Sequence, residues 1–209
     1  MHQSILPPRQ ALILASSSPY RRALLERLQL PFSVQTPDLD ETPTPGEAAL
    51  QTALRLARQK AEVVAAHNRN AIVIGSDQVA LLDDQQIGKP GTHQNALEQL
   101  RRMQGRTVMF HTALCVLNGG ASSASARMQF CSVDTAVTFR NLPDHQLERY
   151  LRIEQPYDCA GSAKNEGLGI ALIASLSSND PTALTGLPLI ALTDMLLQCG
   201  VVFFNDSAL

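Results

Sequence analysis

The stretch "ALILASSSPYRR", residues 11–22, constrains the architecture more than any other part of the chain. An apolar run of strand type ends in three serines, and Pro19 then opens a helix whose first turn carries Tyr20, Arg21 and Arg22. Ser18 is the kind of residue that caps a helix N-terminus, and proline is favoured at the first helical position, so a strand, a turn and a helix follow one another here. Helix N-termini carry unpaired N–H groups and partial positive charge, which puts two arginines on the unfavourable side of the dipole by roughly a few tenths of a kcal/mol. An anion seated between them removes that conflict. With the hydroxyls of Ser16, Ser17 and Ser18, the composition is that of a phosphate or carboxylate cradle. The bland alternative is a solvated helix start with two surface arginines, and the stretch by itself leaves both open.

The rest of the pattern extends this unit. Strand-type runs fall at residues 11–15, 32–36, 71–75, 79–82, 107–117, 128–139 and 169–176, and helical periodicity at 19–29, 47–67, 94–104, 143–154 and 187–198. Strands and helices alternate early, whereas two long strands in the middle are joined by "NGGASSASAR". That order predicts an α/β domain with a mixed sheet and a long central hairpin whose tip is 118–126. The 209 residues suit a single domain, with 1–10 and 203–209 expected to be a flexible extension and tail. The apolar helix 187–198 serves either the core or a dimer face.

Charge and cysteine usage exclude several function classes. A net charge of −2 gives no positive field for a nucleic-acid polymer or a membrane surface, so any anion recognition is local. The cysteines, Cys115, Cys131, Cys159 and Cys199, form no C-x-x-C pair, which argues against a zinc knuckle or redox motif and for a reduced, cytoplasmic protein. No run approaches the roughly 18 apolar residues of a membrane span. The opening "MHQSILPPRQ" lacks the basic start and apolar region of a secretory leader. The histidines show no metal-ligand spacing.

Chemistry-bearing residues concentrate in the connections. Asp77, in "GSDQV", is expected just past the end of an apolar strand, where α/β sheets tend to hold ligands. Glu41 lies in the acidic, proline-stiffened loop "TPDLDETPTPGE", close to Asp38 and Asp40. Hard divalent cations prefer oxygen donors of this kind. Lys89 stands between Gly88 and Pro90 in a tight turn, well posed for a phosphate oxygen. Lys60 is expected late on a helix, where a lysine is ordinarily solvated.

Six segments, "LASSSPYRRALL", "DLDET", "LARQKA", "IGSDQV", "GKP" and "CAGSAKNEGLGI", occur in this order across nearly the whole chain. Together they resemble the Maf family of nucleoside triphosphate pyrophosphatases. The resemblance implies an inosine triphosphatase-like α/β fold: an elongated mixed β-sheet flanked by helices, with a central cleft. It also implies a nucleoside triphosphate substrate, a divalent metal cation (Mg, Mn or Co) and, usually, a homodimer. By the same resemblance Asp77 is the general base, Glu41 and Asp77 are the metal-associated acids, and Ser16, Arg21, Arg22, Lys60 and Lys89 hold the phosphates.

Tyr20, Gln78 and Glu166 match positions at which branches of the family differ, and they are similar to the branch that hydrolyses 7-methyl-GTP. Relatives acting on dTTP and UTP carry arginine where Tyr20 stands and glutamine where Glu166 stands. A carboxylate only accepts hydrogen bonds, and guanine presents adjacent N1–H and N2–H donors to it. Methylation at N7 makes the ring cationic, which favours both the charge of Glu166 and the π-face of Tyr20. The branch often has tryptophan at the Tyr20 position, whereas this chain contains no Trp. Two alternatives stand beside this reading: a pyrophosphatase for a broader set of modified nucleotides, and a nucleotide-binding regulator of septum formation or cell division with little turnover. Pure binding needs neither a base nor a metal acid, so the pairing of Asp77 with Glu41 favours an enzyme.

Overall fold

In the computed structural model, β1 (Leu12–Ala15) is buried at every position, because it runs between two parallel neighbours, β2 (Phe32–Gln35) and the first part of β3 (Ile72–Leu82). The structure describes residues 5–7, 9–123 and 127–204. The expectations for the terminal segments and the hairpin tip fall partly on 1–4, 8, 124–126 and 205–209, outside the described residues. Within them, Ile5 forms an antiparallel bridge with Val202.

One mixed sheet of seven strands organises the described residues, in the order β2-β1-β3-β5-β6-β7, with β4 (Gln85–Ile87) on β3. Here β5 is Thr107–Asn118, β6 Met128–Phe139 and β7 Ile173–Ser178. β5 and β6 are the expected central hairpin, paired antiparallel along almost their whole length. The helices are α1 (Pro19–Glu26), α2 (Ala49–His67), α3 (His93–Met103), α4 (Asp144–Glu154) and α5 (Leu189–Gln198). Ser18 caps α1 as its sequence suggests, its hydroxyl accepting from the Arg21 amide at 3.3 Å.

The sequence pattern is corrected at three places. The runs 71–75 and 79–82 are one strand, β3, so Asp77 lies inside a strand and not past its end. "GSDQ" stays extended because β5 pairs with β3 without a break from Ile72 to Leu81, satisfying the backbone on that side. β4 was not anticipated; it is short and follows Asp83 and Asp84, both left-handed, in a hairpin turn back onto β3. Residues 168–172 form a 3-10 turn before β7, where Gly169 packs against the Lys164 backbone too closely for any side chain.

The other edge of β3 explains where a cleft can form. β1 pairs with it only as far as Gly75, and β4 begins only at Ala80. Between them, Ser76 to Val79 have no strand partner on that edge, because β1 has turned away into Ser16–Ser18 and α1. Side chains alternate across the sheet, so Gly75, Asp77 and Val79 face α2 while Ser76 and Gln78 face the opposite layer. The core follows the same division. α2 covers one face with Ala53, Ala57, Ala61 and Val64 against Val73, Val79 and Ala113. On the other face α1 and α5 pack on one end of the long strands and α3 and α4 on the other end. Ser76, Gln78 and Thr112 lie between those two clusters, so the apolar core is interrupted by a polar belt.

α2 sits tightly on β3 only because Gly75 has no side chain: a Cβ there would run into the Ala57 carbonyl oxygen and the Ala61 amide nitrogen. The obstacle is helix backbone, which cannot rotate aside. Gly75→Ala is expected to destabilise the protein by about 3 kcal/mol, as overpacking against backbone does, measured by urea unfolding. A loss below about 0.5 kcal/mol would show that α2 can shift freely on the sheet.

Candidate active site

Along the unpaired edge of β3 lies a cleft of about 490 Å³, within the usual range for small-molecule sites. It collects residues from distant segments: the serines after β1, the loop before α2, β3 itself, the turn after β4, the loop after α4, and 184–186 before α5. Of the expected residues, Ser16, Tyr20, Arg21, Glu41, Lys60, Asp77, Gln78, Lys89 and Glu166 all line it.

Its centre is a buried ammonium held by two carboxylates. Lys60 Nζ donates to Asp77 Oδ1 at 2.6 Å and pairs with Glu41 Oε1 at 2.8 Å. Lys60 is 4% exposed and Asp77 7%, so neither is solvated. The expectation of a solvated lysine late on a helix is thus overturned. The signal was available: Ala53, Leu56, Ala57, Lys60, Ala61 and Val64 form one buried stripe of α2, in which Lys60 is the only charge. Burial presses the half-exposed Glu41 carboxyl upward, but the hydrogen bond and charge of Lys60, with Lys89 and Arg21 adding to them, bring it below the ordinary value. The Glu41 loop is itself anchored. Arg55 of α2 grips both oxygens of Glu47 at 2.7 Å and donates to Thr42 O at 3.2 Å.

Arg21 enters the same cleft from α1. Its Nε donates to Gly186 O at 2.8 Å, and Nη1 lies 3.5 Å from Ser16 Oγ. Burial lowers its pKa, while Asp77 and Glu41 act in the opposite direction; an arginine stays charged throughout. Arg22 is not brought to the site. It lies on the solvent side of α1 in an exposed pair with Glu26 at 3.0 Å, because neighbouring helical residues point about 100° apart. The cradle therefore has one arginine. All three serines line the cleft: Ser16 Oγ accepts from the Ser18 amide at 3.1 Å, Ser18 caps α1, and Ser17 is exposed.

A wall of backbone carbonyls backs the site. Ser76 Oγ donates within reach of Ala113 O at 2.8 Å and Gly186 O at 2.9 Å, and Thr112 Oγ1 donates to Ala183 O at 3.0 Å. The Gln78 amide nitrogen is committed to Thr112 Oγ1, Ala183 O and Leu184 O. Gln78, expected to read the base, thus holds the 183–186 segment with one end and has only its carbonyl oxygen left for a ligand. Asp180 sets that segment from behind: its carboxylate accepts from Thr182 and from the Ile190 amide at the start of α5. Ser76, Thr112, Gly186 and Asp180 carry no motif-like spacing, and sequence reasoning missed them.

The far end of the cleft is acidic and aromatic. Tyr20, Asp158, Cys159, Asn165 and Glu166 line it. Burial raises the Glu166 pKa, and the nearby Glu154 and Asp158 charges raise it further against the opposing Lys164. Lys164 Nζ sits 5.9 Å from the centroid of the Tyr20 ring, which occupies one face of it. Burial also raises the Tyr20 phenol, keeping it neutral. Lys89 is exposed in its turn beside Gly88, as its sequence suggested, and its charge acts on Glu41.

Comparison of the sequence with known proteins matches the chain to a family. The model described as "Maf-like protein" matches residues 11–199. The 7-methyl-GTP pyrophosphatase of Cupriavidus metallidurans is 62% identical over 94% of this chain and 97% of its own. That of Ralstonia nicotianae is 63% identical, covering 90% and 95%, and that of Methylobacillus flagellatus 60%, covering 94% and 98%.

The ion chain yields a stability prediction. Lys60→Met strands Asp77 in a buried position and is expected to cost about 3 kcal/mol in urea unfolding. Adding Asp77→Leu should restore part of that loss, because an apolar pair can replace a buried ion pair. A Lys60→Met variant as stable as the wild type would mean that Asp77 is not held by this lysine.

Proposed function

The chain belongs to the Maf family, and we propose that it is a nucleoside triphosphate pyrophosphatase acting on 7-methyl-GTP, yielding 7-methyl-GMP and pyrophosphate. One arrangement supports the reading above all: a buried carboxylate, Asp77, faces a cleft with cations on one side and an aromatic, acidic pocket on the other. The substrate is taken from the chain's similarity to the 7-methyl-GTP pyrophosphatases.

The chemistry follows from the residues. Arg21 and Lys89 offset triphosphate charge as fixed donors in a part-desolvated site. Asp77 accepts a proton from water as the water oxygen bonds to the α-phosphorus; the bond from that phosphorus to the α,β-bridging oxygen breaks, and pyrophosphate leaves. Lys60 holds Asp77 at the open edge of β3 while this proton moves.

A divalent cation fits this donor set. Glu41 and Asp77 offer hard oxygens side by side, each bound to Lys60 through one atom. Among the described residues no third acid, histidine or cysteine converges with them. Such a pair suits a magnesium-type ion that shares its coordination with substrate phosphates. When bound, the ion would supply charge neutralisation for the leaving pyrophosphate.

At the other end, Glu166 can accept from the N1–H and N2–H donors of guanine. Tyr20 offers its free face to the ring. A cationic ring suits a pocket in which Glu166 and Asp158 already repel one another. A cytoplasmic homodimer is also part of the proposal; the four unbridged cysteines and the exposed Phe130, beside α5, are consistent with it.

Two measurements test this reading. Pyrophosphate release from 7-methyl-GTP, GTP, UTP and dTTP, with magnesium, should be greatest for 7-methyl-GTP and should vanish in Asp77→Asn while binding of a non-hydrolysable triphosphate persists. Near-normal turnover in that variant would remove Asp77 as the base. In Glu166→Gln, kcat/KM for 7-methyl-GTP should fall by at least about tenfold, or roughly 1.4 kcal/mol, with much smaller losses for UTP and dTTP. Equal losses for all four nucleotides would mean that Glu166 supports the fold and does not read the base.

A further inference from the structure

α3 lies outside the cleft, yet one of its side chains reaches two loops that line it. Gln99 Nε2 donates to Gly88 O at 3.1 Å, and Gln99 Oε1 accepts from Ser162 Oγ at 2.6 Å. Gly88 immediately precedes Lys89. Ser162 lies in the loop between Cys159 and Glu166, both of which line the cleft. A single amide therefore bridges the turn before Lys89 and the loop that leads to Glu166 through its donor and its acceptor, a pairing that no charged or aliphatic side chain offers.

Both partners need such support. Gly161 and Ser162 are consecutive left-handed residues, with φ of 72° and 55°, and a non-glycine residue there persists only when its surroundings hold it. The Ser162 amide donates to Cys159 O at 3.2 Å, Tyr150 donates to Ser162 O at 3.1 Å, and Gln99 takes the hydroxyl. On the other side, the Lys89 turn is exposed, and the Asn95 amide, also on α3, holds Pro90 O at 2.9 Å. The neighbouring ties to Tyr157, from Gly91 N at 3.0 Å and His93 Nδ1 at 2.9 Å, join residues that do not line the cleft. α3 is a firm base for the bridge, since Ala96, Leu97, Leu100 and Met103 are buried in the core shared with α4.

We propose that Gln99 is a positioning residue that sets the distance between the phosphate-side loop, Gly88 to Pro90, and the base-side loop, Cys159 to Glu166, so that one nucleotide spans both. This rests on the cleft being a nucleotide site, as argued above. Gln99 touches no substrate; it acts through Lys89 on one side and through the Ser162 loop on the other.

The experiment separates the two ends with two probes. Calorimetric binding of inorganic tripolyphosphate reads the phosphate side without turnover, and the ratio of kcat/KM for 7-methyl-GTP to that for GTP reads the base side. Gln99→Leu keeps helix propensity and bulk, and its melting temperature checks the fold. It should weaken tripolyphosphate about fivefold, but less than about 1.5-fold in a Lys89→Ala background, because coupled residues are not additive. Ser162→Ala should leave tripolyphosphate affinity unchanged and lower the base ratio at least about threefold. Equal weakening by Gln99→Leu with and without Lys89 would overturn the proposal, as would a Ser162→Ala variant with an unchanged base ratio. Absence of pyrophosphate release from every nucleotide, with tripolyphosphate coupling intact, would instead sink the pyrophosphatase reading alone.

Discussion

The ion chain Asp77, Lys60 and Glu41 is the constraint on which the rest of the site depends. Burying an ammonium or a carboxylate alone is costly, so each is tolerable only because the other lies 2.6 Å away. That contact requires α2 to lie directly on β3, and Gly75 permits it. The same lysine also holds Glu41, and Arg55 fastens the rest of that loop to α2 through Glu47 and Thr42. One charge on a buried helix face thus ties a helix, a strand and a loop together and aims a carboxylate at open space.

The open space comes from the sheet. A strand with neighbours on both edges has no room for a ligand at its backbone, and β3 has such neighbours except from Ser76 to Val79. β1 leaves there to begin α1, and so the strand exit that produces the gap also delivers Arg21 to it. The polar belt on the other face is the counterpart. Ser76, Gln78 and Thr112 would be unsatisfied in an apolar core, and they take the carbonyls of 183–186, one of which also accepts from Arg21. The two faces of β3 therefore have separate tasks: Asp77 looks toward the buried lysine, and its neighbours fasten the wall against which the arginine rests.

The charges lining the cleft are unevenly distributed: three cations gather around Glu41 and Asp77, and acids gather around Tyr20. Arg21, Lys60 and Lys89 are drawn from α1, α2 and the turn after β4, whereas Asp158 and Glu166 come from the loop after α4. A ligand with a polyanionic end and a cationic or donor-rich end complements this polarity along its length. Net charge conceals it, because the opposed patches nearly cancel.

The chain's own pattern was enough to place the helices within a few residues, the long β5–β6 hairpin, the capped start of α1 and the segments that form the cleft, since these depend on local periodicity and turn chemistry. Asp77, Glu41, Lys89, Tyr20 and Glu166, picked out by their motifs, all line the cleft, although Asp77 belongs to β3 and Tyr20 to α1 and not to connections. What only the tertiary structure decided was how these residues face one another. Arg21 and Arg22 are alike in sequence, but one turns into the cleft and the other to solvent, because a helix buries only one side. Lys60 could be read as solvated until α2 was laid on a glycine of β3. Asp77 stands within a strand because β5 pairs with it at Ala113, far along the chain. Gln99 resembles any polar residue of a surface helix until two loops close on its amide. Local sequence sets each segment's conformation; which charges are buried and which are paired depends on contacts between segments that no short window contains.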